Sequence, residues 1–457
     1  MAGEEQIVIE KVVAGGAGLG RLPDGRAVFV PFTLPGEEVV LRLTRRHKQH
    51  GEAEAVRILS PAPQRREPPC PLFGTCGGCD LQHASYPKQL EIKEAILREI
   101  LERAGIIGAV RDFPLSAAPA PEEFGYRQRI RLQVSDNGSP GFYRSRSHEV
   151  VPITTCPLAA PAINRVLATL RREPAARQLL AQATAVELIL NLVENEAEQD
   201  TVVALLHTRR PLRAADRQRA AQLCSSQANI QGILFAVPGK AMGPAVTRET
   251  GPAGSMDLSA LHIRFTIPAA IAGRALTLAV EPGGFSQVNP YQNEKMIATL
   301  LDWLALTGSE KVLDLFCGMG NFSLPLALHA GSVLGLDLQG AAIRRAVSNA
   351  AGNRLTNCTF ARKGAEQGAR ELAAAGERFD VLLLDPPRAG CREVLPHIAD
   401  LAASRVAYIS CDPATLARDL VLLRDQGYAI ERMQLFDMFP QTRHLETMTL
   451  LRRQGRG

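Results

Sequence analysis

The chain has no long hydrophobic run. A membrane-spanning helix needs a stretch of about eighteen apolar residues, and the sequence contains none. The first six residues include Glu4 and Glu5, where a secretory signal has a basic start and an apolar core. We therefore expect a cytoplasmic protein that does not contact a membrane.

A disulfide framework is not expected either. The nine cysteines are an odd number, and the cytosol keeps thiols reduced. Internal repeats and low-complexity tracts are also absent from the sequence. With 46% apolar and 22% charged residues, the 457-residue chain is predicted to be globular, and its length suggests about three domains.

The net charge of +5 is small, but the basic residues are concentrated in two segments. The first runs from Arg42 to Arg66, and the second comprises Arg127, Arg129, Arg131, Arg144 and Arg146, with Tyr126, Phe142 and Tyr143 between them. Most charge runs are solvated faces. Basic residues interleaved with aromatic rings also suit a polyanion, so both interpretations stay open.

The N-terminal 60 residues are predicted to form a small β-barrel. Short apolar runs near residues 7–9, 19–22, 27–30, 38–43 and 53–59 are separated by turn residues such as Pro23-Asp24-Gly25. Five short strands in about sixty residues are typical of a closed barrel of the oligonucleotide-binding type. The proline-rich segment 60–69 follows as a linker.

The middle of the chain is predicted to be mainly β-structure. Residues 86–104 have helical periodicity and end before Gly105. Residues 126–280 contain two predicted hairpins and one or two helices. One hairpin joins 129–134 to the strand after Phe142, and the other joins 186–193 to 201–207 across Asn195-Glu196.

From residue 285 the pattern alternates between strand and helix. Strands are predicted at 312–315, 333–337, 381–384 and 406–410, and helices at 322–329, 341–350, 394–403 and 414–425. This alternation is typical of a doubly wound parallel sheet in an α/β domain.

A glycine-rich turn follows the first of these strands. Gly318 and Gly320 allow backbone to approach a ligand at a helix N-terminus. Asp337 ends the next strand, where a carboxylate can bind ribose hydroxyls. Position 323 is Ser rather than the third glycine of a dinucleotide motif. A dinucleotide and S-adenosylmethionine both remain possible, as does a structural tight turn.

Cys411 lies between a predicted strand and a helix that Asp412 caps and Pro413 begins. The positive end of a helix dipole favours a thiolate, so Cys411 is a candidate nucleophile. A half-buried structural cysteine is the alternative. Asp385, in Asp385-Pro386-Pro387-Arg388, is predicted at the same sheet edge, or is simply a helix cap. Glu446 is a candidate base, or a solvated surface residue.

Four other cysteines form a separate set. Cys70, Cys76 and Cys79 are clustered with nearby glycines, and Cys156 precedes a proline much later. Zinc sites usually show two close pairs of ligands, whereas three clustered cysteines and a distant fourth are closer to iron–sulfur ligation. We predict a [4Fe–4S] cluster first and zinc second.

The whole set of motifs resembles the RNA (uracil-C5)-methyltransferase family, in particular its bacterial branch acting on 23S ribosomal RNA. The resemblance covers nearly the whole chain. Gly18-Leu19-Gly20-Arg21 and residues 30–37 are similar to a TRAM domain, an RNA-binding module, and the four cysteines match the iron–sulfur ligands of that branch. Residues 285–289, 314–322, 385–388 and 410–415 match methyltransferase motifs.

The resemblance implies a three-part architecture. Residues 1–60 form an OB-like TRAM barrel. Residues 61–85 and 125–280 form a mainly β iron–sulfur domain that contacts RNA. Residues 86–124 and 281–457 form a Rossmann-like α/β methyltransferase domain. We expect a monomer that binds ribosomal RNA.

The resemblance also implies residue roles. Cys411 is expected to be the nucleophile and Glu446 the proton acceptor. S-adenosylmethionine or the target base is expected at the positions Gln287, Phe316, Asn321, Asp337 and Asp385. One departure is that Gly364 stands where relatives carry a polar contact to adenosine, a contact that Glu366 or backbone then makes or that is lost.

Three other functions stay open at this point. A nicotinamide-dependent iron–sulfur oxidoreductase would use the glycine turn and Asp337 but not Cys411 or Glu446. A non-catalytic RNA-binding or assembly factor would use only the barrel and the four cysteines. A relative acting on transfer RNA is disfavoured, because we expect the transfer RNA enzymes of the family to lack the barrel and the cluster.

Overall fold

The computed structural model describes residues 4–108, 114–192, 200–401 and 403–454. Within these ranges the chain forms a closed barrel, a seven-stranded sheet, a two-stranded ribbon and an eight-stranded sheet. Its described helices include none long and apolar enough to cross a membrane.

The N-terminal barrel is confirmed. Its strands are β1 (Glu4–Val12), β2 (Ala17–Arg21), β3 (Ala27–Pro31), β4 (Glu38–Arg46) and β5 (His50–Ser60), closed in the order β1-β2-β3-β5-β4. Alternating residues such as Ile7, Ile9, Val28 and Val30 fill the interior, which explains the period-two pattern of the sequence. The predicted hairpin is the antiparallel pair of β2 and β3.

A helix and a short strand follow the linker. Helix α1 (Tyr86–Arg103) matches the predicted helix and ends beside Gly105, whose φ of +64° suits glycine. Strand β6 (Ser116–Ala118) comes next. The backbone of Ala117 is fixed to α1, because its N–H donates to Glu94 at 2.6 Å.

The central sheet has the order β13-β12-β11-β10-β7-β8-β9. Its strands are β7 (Arg129–Val134), β8 (Pro140–Tyr143), β9 (Val150–Pro152), β10 (Ala183–Asn191), β11 (Thr201–Thr208), β12 (Ile230–Ala236) and β13 (Ala245–Thr247). Both predicted hairpins are present, as β7–β8 and β10–β11. The turn predicted at Asn195-Glu196 lies outside the described residues.

The helix content predicted for this region was too low. Instead of one or two helices, the described residues contain α2 (Pro161–Arg172), α3 (Pro174–Leu180), α4 (Ala214–Ser226) and the single turn α5 (Ala269–Ala272). Leu167, Leu179 and Leu223, from α2, α3 and α4, pack in one core with the sheet. The prediction gave no bounds for these helices, and α3, with seven residues, is too short to show a clear period. The ribbon of β14 (Ile263–Ile267) and β15 (Leu276–Val280) follows.

The C-terminal sheet has the order β18-β17-β16-β19-β20-β22-β21-β6. Its further strands are β16 (Lys311–Asp314), β17 (Ser332–Asp337), β18 (Cys358–Arg362), β19 (Val381–Leu384), β20 (Arg405–Ser410), β21 (Tyr428–Phe436) and β22 (Glu446–Arg453). The helices are α6 (Pro290–Leu304), α7 (Ser323–Ala327), α8 (Gly340–Gly352), α9 (Ala365–Ala374), α10 (Leu395–Ile398) and α11 (Pro413–Asp425).

Two predictions for this sheet were wrong in part. The sheet is mixed rather than parallel, because β22 runs antiparallel to both β20 and β21. No helix lies between β21 and β22, so these two strands are joined directly as an antiparallel pair. The helix predicted at 394–403 is only the short α10, and β18, α9 and β21 had not been predicted at all.

The early segment joins this late sheet. Strand β6 pairs in parallel with β21, from Gln434 opposite Ser116 to Phe436 opposite Ala118. Helix α1 packs against α11, and Ile92 and Leu97 share a core cluster with Leu420. The C-terminal sheet and the helix packed on it are therefore completed by a segment that lies far earlier in the sequence.

Candidate active site at the carboxyl edge of the sheet

Cys411 lies where the sequence predicted it. Strand β20 ends at Ser410, and α11 begins at Pro413. The side chain of Asp412 accepts hydrogen bonds from the N–H groups of Ala414 and Thr415, at 3.0 and 2.9 Å, and so caps the helix. The thiol is half-buried at this junction and remains accessible.

Glu446 lies beside Cys411 because of the reversed strand. Ser410 pairs with Thr447 at the end of β20. One step further, the register of an antiparallel pair sets Glu446 opposite Cys411. The Glu446 side chain is buried, at 5% exposure. The interpretation of Glu446 as a solvated surface residue is therefore wrong.

Asp385 and Arg388 complete this group. Asp385 follows β19, which pairs in parallel with β20, so both strands end at the same edge. Asp385 is half-buried and Arg388 is exposed. The charge of Arg388 acts on both Cys411 and Glu446.

The thiol of Cys411 is not held as a thiolate in the free protein. Burial raises its pKa to about 11, and the nearby charges of Glu446 and Asp385 add to this effect. Arg388 opposes it. Desolvation beside two carboxyl groups therefore acts against the helix N-terminus, which was expected to favour the thiolate.

The carboxyl groups share this behaviour. Burial raises the pKa of Glu446 well above its ordinary value; Asp385 raises it further and Arg388 lowers it. Burial, followed by the charge of Asp314, raises the pKa of Asp385 to about 7. Closely spaced acids with displaced pKa values are typical of functional sites.

The glycine-rich turn fixes Asp337. Gly318 has a φ of +55°, and its N–H donates to Oδ2 of Asp337 at 3.0 Å. The N–H of Gln339 donates to Oδ1 at 2.7 Å. Asp337 is thus held at the end of β17 with one hydrogen bond on each oxygen, and each oxygen keeps a free lone pair.

The serine at position 323 has its own structural role. Its buried hydroxyl donates to Oδ2 of Asp314 at 2.6 Å, while Phe316 N–H donates to Oδ1 at 3.2 Å. Burial raises the pKa of Asp314 to about 7. A third glycine here would leave a buried carboxyl oxygen without this donor. We had not singled out Asp314, although its position at the strand end is a usable signal.

Asn321 is paired with a residue that sequence reasoning missed. Its side-chain amide and that of Asn293, on α6, exchange two hydrogen bonds of 2.8 and 2.9 Å. Asn293 and Gln287 line one cleft. The amide of Asn289, which caps α6, was the available signal for this helix. Phe316 is half-buried in the turn between these groups and Asp337.

The surface around Gly364 is open. Gly364 is the N-cap residue of α9, and a Cβ atom there would meet only Leu338, at 4.0 Å. Leu338 itself is 69% exposed, immediately after Asp337. Nothing in the described residues fills the place of the missing side chain.

The four clustered cysteines are brought together. Cys70, Cys76, Cys79 and Cys156 line one cleft with Gln82 and Arg127. Burial raises the pKa of Cys79 to about 12. In the part of the chain that the structure describes, no three of these sulfurs lie within 4.8 Å of one another. Around a single zinc ion, bonds of about 2.3 Å would place tetrahedral sulfurs about 3.8 Å apart.

The sequence profile of the family described as tRNA (Uracil-5-)-methyltransferase matches residues 85–454, and that of the TRAM domain matches residues 2–56. The chain belongs to this methyltransferase family. Membership agrees with the resemblance that the motifs indicated, and it excludes the interpretation of the glycine turn as part of a nicotinamide-dependent oxidoreductase.

Curated relatives of the family match almost end to end. The chain is 36% identical over 444 residues to the 23S rRNA (uracil(1939)-C(5))-methyltransferase RlmD of Klebsiella pneumoniae, covering 96% of this chain and 93% of that protein. It is 37% identical over 443 residues to the enzyme of the same name from Pectobacterium atrosepticum, covering 95% and 90%.

A solved structure has the same fold. The crystal structure of Pyrococcus abyssi tRNA (uracil-54, C5)-methyltransferase in complex with S-adenosyl-L-homocysteine matches with a TM-score of 0.72 and 23% identity, covering 97% of this chain and 99% of that one. Coverage this complete extends over the barrel. The expectation that transfer RNA enzymes of the family lack the barrel was therefore wrong.

Proposed function

We propose that the protein transfers the methyl group of S-adenosylmethionine to C5 of a uracil in 23S ribosomal RNA. The near full-length similarity to enzymes of that name supports the substrate. The observation that carries the chemistry is the antiparallel register of β20 and β22, which sets Glu446 opposite Cys411 at the sheet edge. A thiol and a carboxyl group at this spacing suit covalent catalysis followed by proton removal.

The reaction needs a nucleophile because C5 of uracil is too weakly nucleophilic to attack a sulfonium methyl group. The thiolate of Cys411 adds to C6, and the ring becomes an enolate with electron density at C5. C5 then takes the methyl group from S-adenosylmethionine, which leaves as the homocysteine thioether. Glu446 removes the proton from C5, and the electron pair of that bond expels the thiolate from C6.

Burial of Cys411 and Glu446 determines which proton must move first. Cys411 must lose a proton before it can attack, since its pKa is about 11. Arg388 is the charged group at this edge that favours the thiolate. A carboxylate with a raised pKa is a stronger base once it is ionised, which suits Glu446 for taking a carbon-bound proton.

The cofactor is assigned to the glycine turn. Asp337 keeps one lone pair on each oxygen, so it can accept two ribose hydroxyls. Phe316, Asn321 and Gln287 line the approach from the turn to α6, and Asp385 is assigned to hold either the cofactor or the ring edge of the target uracil. The open surface at Gly364 leaves the adenine edge to backbone or to Glu366.

The four cysteines are assigned as ligands of a [4Fe–4S] cluster, with zinc as the second choice. The wide spacing of the sulfurs suits a cluster better than a single ion. A cluster here would supply a structural centre for the loop. Iron and acid-labile sulfide near four equivalents each, lost in Cys76→Ala, would support this; one equivalent of zinc would refute it.

The domain division follows from these assignments. We infer an RNA-binding TRAM domain at 1–60, an iron–sulfur domain at 61–85 and 125–280, and a methyltransferase domain at 86–124 and 281–457. We further infer a cytoplasmic monomer, in the compartment where ribosomes are made. The target uridine must be unstacked to reach the half-buried thiol.

Release of tritium from ribosomal RNA that carries C5-tritiated uridine tests the proposal. With S-adenosylmethionine, the wild-type protein should release tritium as it transfers methyl groups. Cys411→Ala should lose at least a thousandfold in rate while it still binds the cofactor. Glu446→Gln should accumulate a covalent protein–RNA adduct.

Cys358→Ala is the matched control. Cys358 is also half-buried in the same sheet, and burial raises its pKa to about 11 as well. It lies on β18, and three strands separate β18 from β20 in the sheet order. Wild-type activity in Cys411→Ala, or methylation without tritium release, would end the proposal.

A further inference from the structure

The segment from Asp437 to Leu445 connects β21 to Glu446, the first residue of β22. It has no regular secondary structure, yet Asp437, Gln441 and Thr442 are almost fully buried. A segment this close to the proposed proton acceptor decides where that carboxyl group lies. The contacts that hold it come mainly from a distant part of the sequence.

Gln441 is the centre of these contacts. Its φ is +71°, a conformation that a residue with a side chain rarely adopts. Its backbone N–H donates to Gln89 at 2.9 Å. Its side-chain oxygen accepts from Arg66 and Gln89, both at 2.9 Å, and its side-chain nitrogen donates to Glu123 at 3.0 Å. The surroundings therefore determine this unfavourable backbone conformation fully.

The loop that follows Cys79 supplies further contacts. The N–H groups of Asp80 and Leu81 donate to the carbonyl oxygen of Gln441, at 3.1 and 3.0 Å. The carboxylate of Asp80 accepts from the backbone N–H of Arg443 at 3.2 Å and from its guanidinium at 2.9 Å. Residue 80 is thus joined to the segment through both backbone and side chain.

A second connection runs through Arg127, which lines the cysteine cleft. Its guanidinium carbon lies 5.7 Å from the ring centre of Phe439. The Phe439 ring packs edge-on against His444, with 5.8 Å between ring centres. Tyr126, the neighbour of Arg127, donates from its hydroxyl to the carbonyl of Pro440 at 3.0 Å. Two neighbours in the chain therefore fix the segment from the cysteine side.

We propose that Asp80 and Arg443 are positioning residues for Glu446, so that the loop carrying Cys76 and Cys79 determines where the proton acceptor lies. The inference rests on the proposed function, since it concerns the step assigned to Glu446. Arg443 precedes Glu446 by three residues, and a fully extended chain of that length spans at most about 10 Å. A shift of the cysteine loop therefore displaces the carboxyl group of Glu446, because the short connection cannot absorb the movement.

A displaced Glu446 affects only the removal of the proton from C5. Proton removal from C5 comes after the methyl group has been transferred, so a displaced Glu446 leaves the methylated adduct intact on Cys411. A defect in folding or in RNA binding lowers adduct formation instead. Accumulation of adduct therefore separates a positioning role from a merely structural one.

The experiment compares Asp80→Ala and Arg443→Met with Arg452→Met. Arg452 lies on the same strand as Glu446 and forms an ion pair with Glu431 at 2.9 Å, the same distance as the pair of Arg443 and Asp80. The first two variants should accumulate at least ten times more covalent adduct than wild type, with the KM for S-adenosylmethionine changed less than twofold. Arg452→Met should behave as wild type.

Hydrogen–deuterium exchange gives a measurement that does not depend on activity. Amides in the peptide covering 441–447 should exchange at least tenfold faster in Asp80→Ala and Arg443→Met, and at the wild-type rate in Arg452→Met. Unchanged exchange would overturn the proposal. So would a loss of turnover in both variants without extra adduct.

The Glu446→Gln variant keeps the two proposals apart. If it accumulates adduct and Arg443→Met does not, the positioning inference is wrong while the proposed chemistry stands. If Glu446→Gln itself releases tritium at the wild-type rate, the assignment of Glu446 is wrong. Asp80→Asn, which keeps the shape of the side chain, replaces Asp80→Ala if that variant fails to fold.

Discussion

Cys411 combines an accessible position with an unfavourable environment for charge. Because burial raises its pKa to about 11, the thiolate fraction should increase about tenfold per pH unit from pH 7 to 10. We predict that alkylation of Cys411 by iodoacetamide in the free protein increases over this range without a plateau. Mass spectrometry of the peptide that contains Cys411 measures the rate separately from the other cysteines.

Substitution of Arg388 tests whether nearby charges shift the pKa of Cys411. Its charge lowers the pKa of Cys411, so Arg388→Met should raise that pKa and slow alkylation at any pH below it. Arg392→Met is the control, because Arg392 is an exposed residue of the same loop and is not among the main causes of the pKa shift of the thiol. A plateau near pH 8 in wild type, or equal rates in the two variants, would contradict this account.

Single residues were predictable where the cause is local. Asp412 and Pro413 mark the helix start by their own chemistry, and this set Cys411 at the strand–helix junction correctly. The sign of the thiol pKa shift was not predictable, because it depends on Glu446 and on burial by distant segments. The amide pair of Asn293 and Asn321 was missed for the same reason, since 28 residues separate the partners.

Helix α1 carries a buried charge that holds it to the catalytic sheet. Lys93 donates to Asp437 at 2.6 Å and to the carbonyl of Phe439 at 3.0 Å, and both charged side chains are fully buried. We predict that Lys93→Met lowers the free energy of unfolding by about 3–5 kcal/mol, because it leaves the Asp437 carboxylate without its partner. Denaturant titration measures the loss.

Lys88→Met is the matched control on the same helix. Lys88 pairs with Glu91, which is 64% exposed, at 2.9 Å. Exposed pairs of this spacing contribute at most about 0.5 kcal/mol, so the control should be near wild type. Losses of similar size in the two variants would show that the buried pair has no special role.

Helices and strands were predictable where the spacing of apolar residues in the sequence matches the buried side of the element. The barrel strands and α1 show clear periods of two and 3.6 residues, and their bounds agree closely with the structure. Pattern does not encode strand direction, so the reversal of β22 could not be predicted from it. Only Met448, Leu450 and Leu451 are apolar in the segment 446–453, and these three residues fit either a parallel or an antiparallel neighbour.

The whole molecule presents basic residues from several parts of the chain. Arg45 and Arg46 lie exposed at the end of β4. If they contact phosphates, Arg45→Gln/Arg46→Gln should weaken RNA binding and reduce the slope of log K against log salt by about 1.4–1.8. Filter binding between 50 and 200 mM salt measures this slope.

A paired change on the C-terminal sheet is the control. Arg432→Gln/Arg452→Gln removes the same charge from β21 and β22, away from the edge that carries Glu446. Its salt slope should equal that of wild type. Equal reductions in both double variants would mean that net charge, rather than a surface of the barrel, determines binding.

At this scale the sequence indicated the order of domains but not how they are joined. The linker and the change from strand-rich to alternating pattern marked the approximate boundaries. The pairing of β6 with β21 spans more than 300 residues, and three residues are too few to show a pattern. Only the resemblance to the family assigned 86–124 to the catalytic domain.

The pairing of β6 with β21 also limits the order in which parts of the chain can fold during synthesis. All five barrel strands end by Ser60, so the barrel can close once this part of the chain has left the ribosome, whereas β6 has no strand to pair with until residues 428–436 emerge. Early in translation α1 can therefore contact only the barrel side of its core, through residues such as Val12 and Leu34, and its contacts with the catalytic sheet form late. The carboxyl group opposite Cys411 arrives later still, so the nascent enzyme stays inert until its final strand is made.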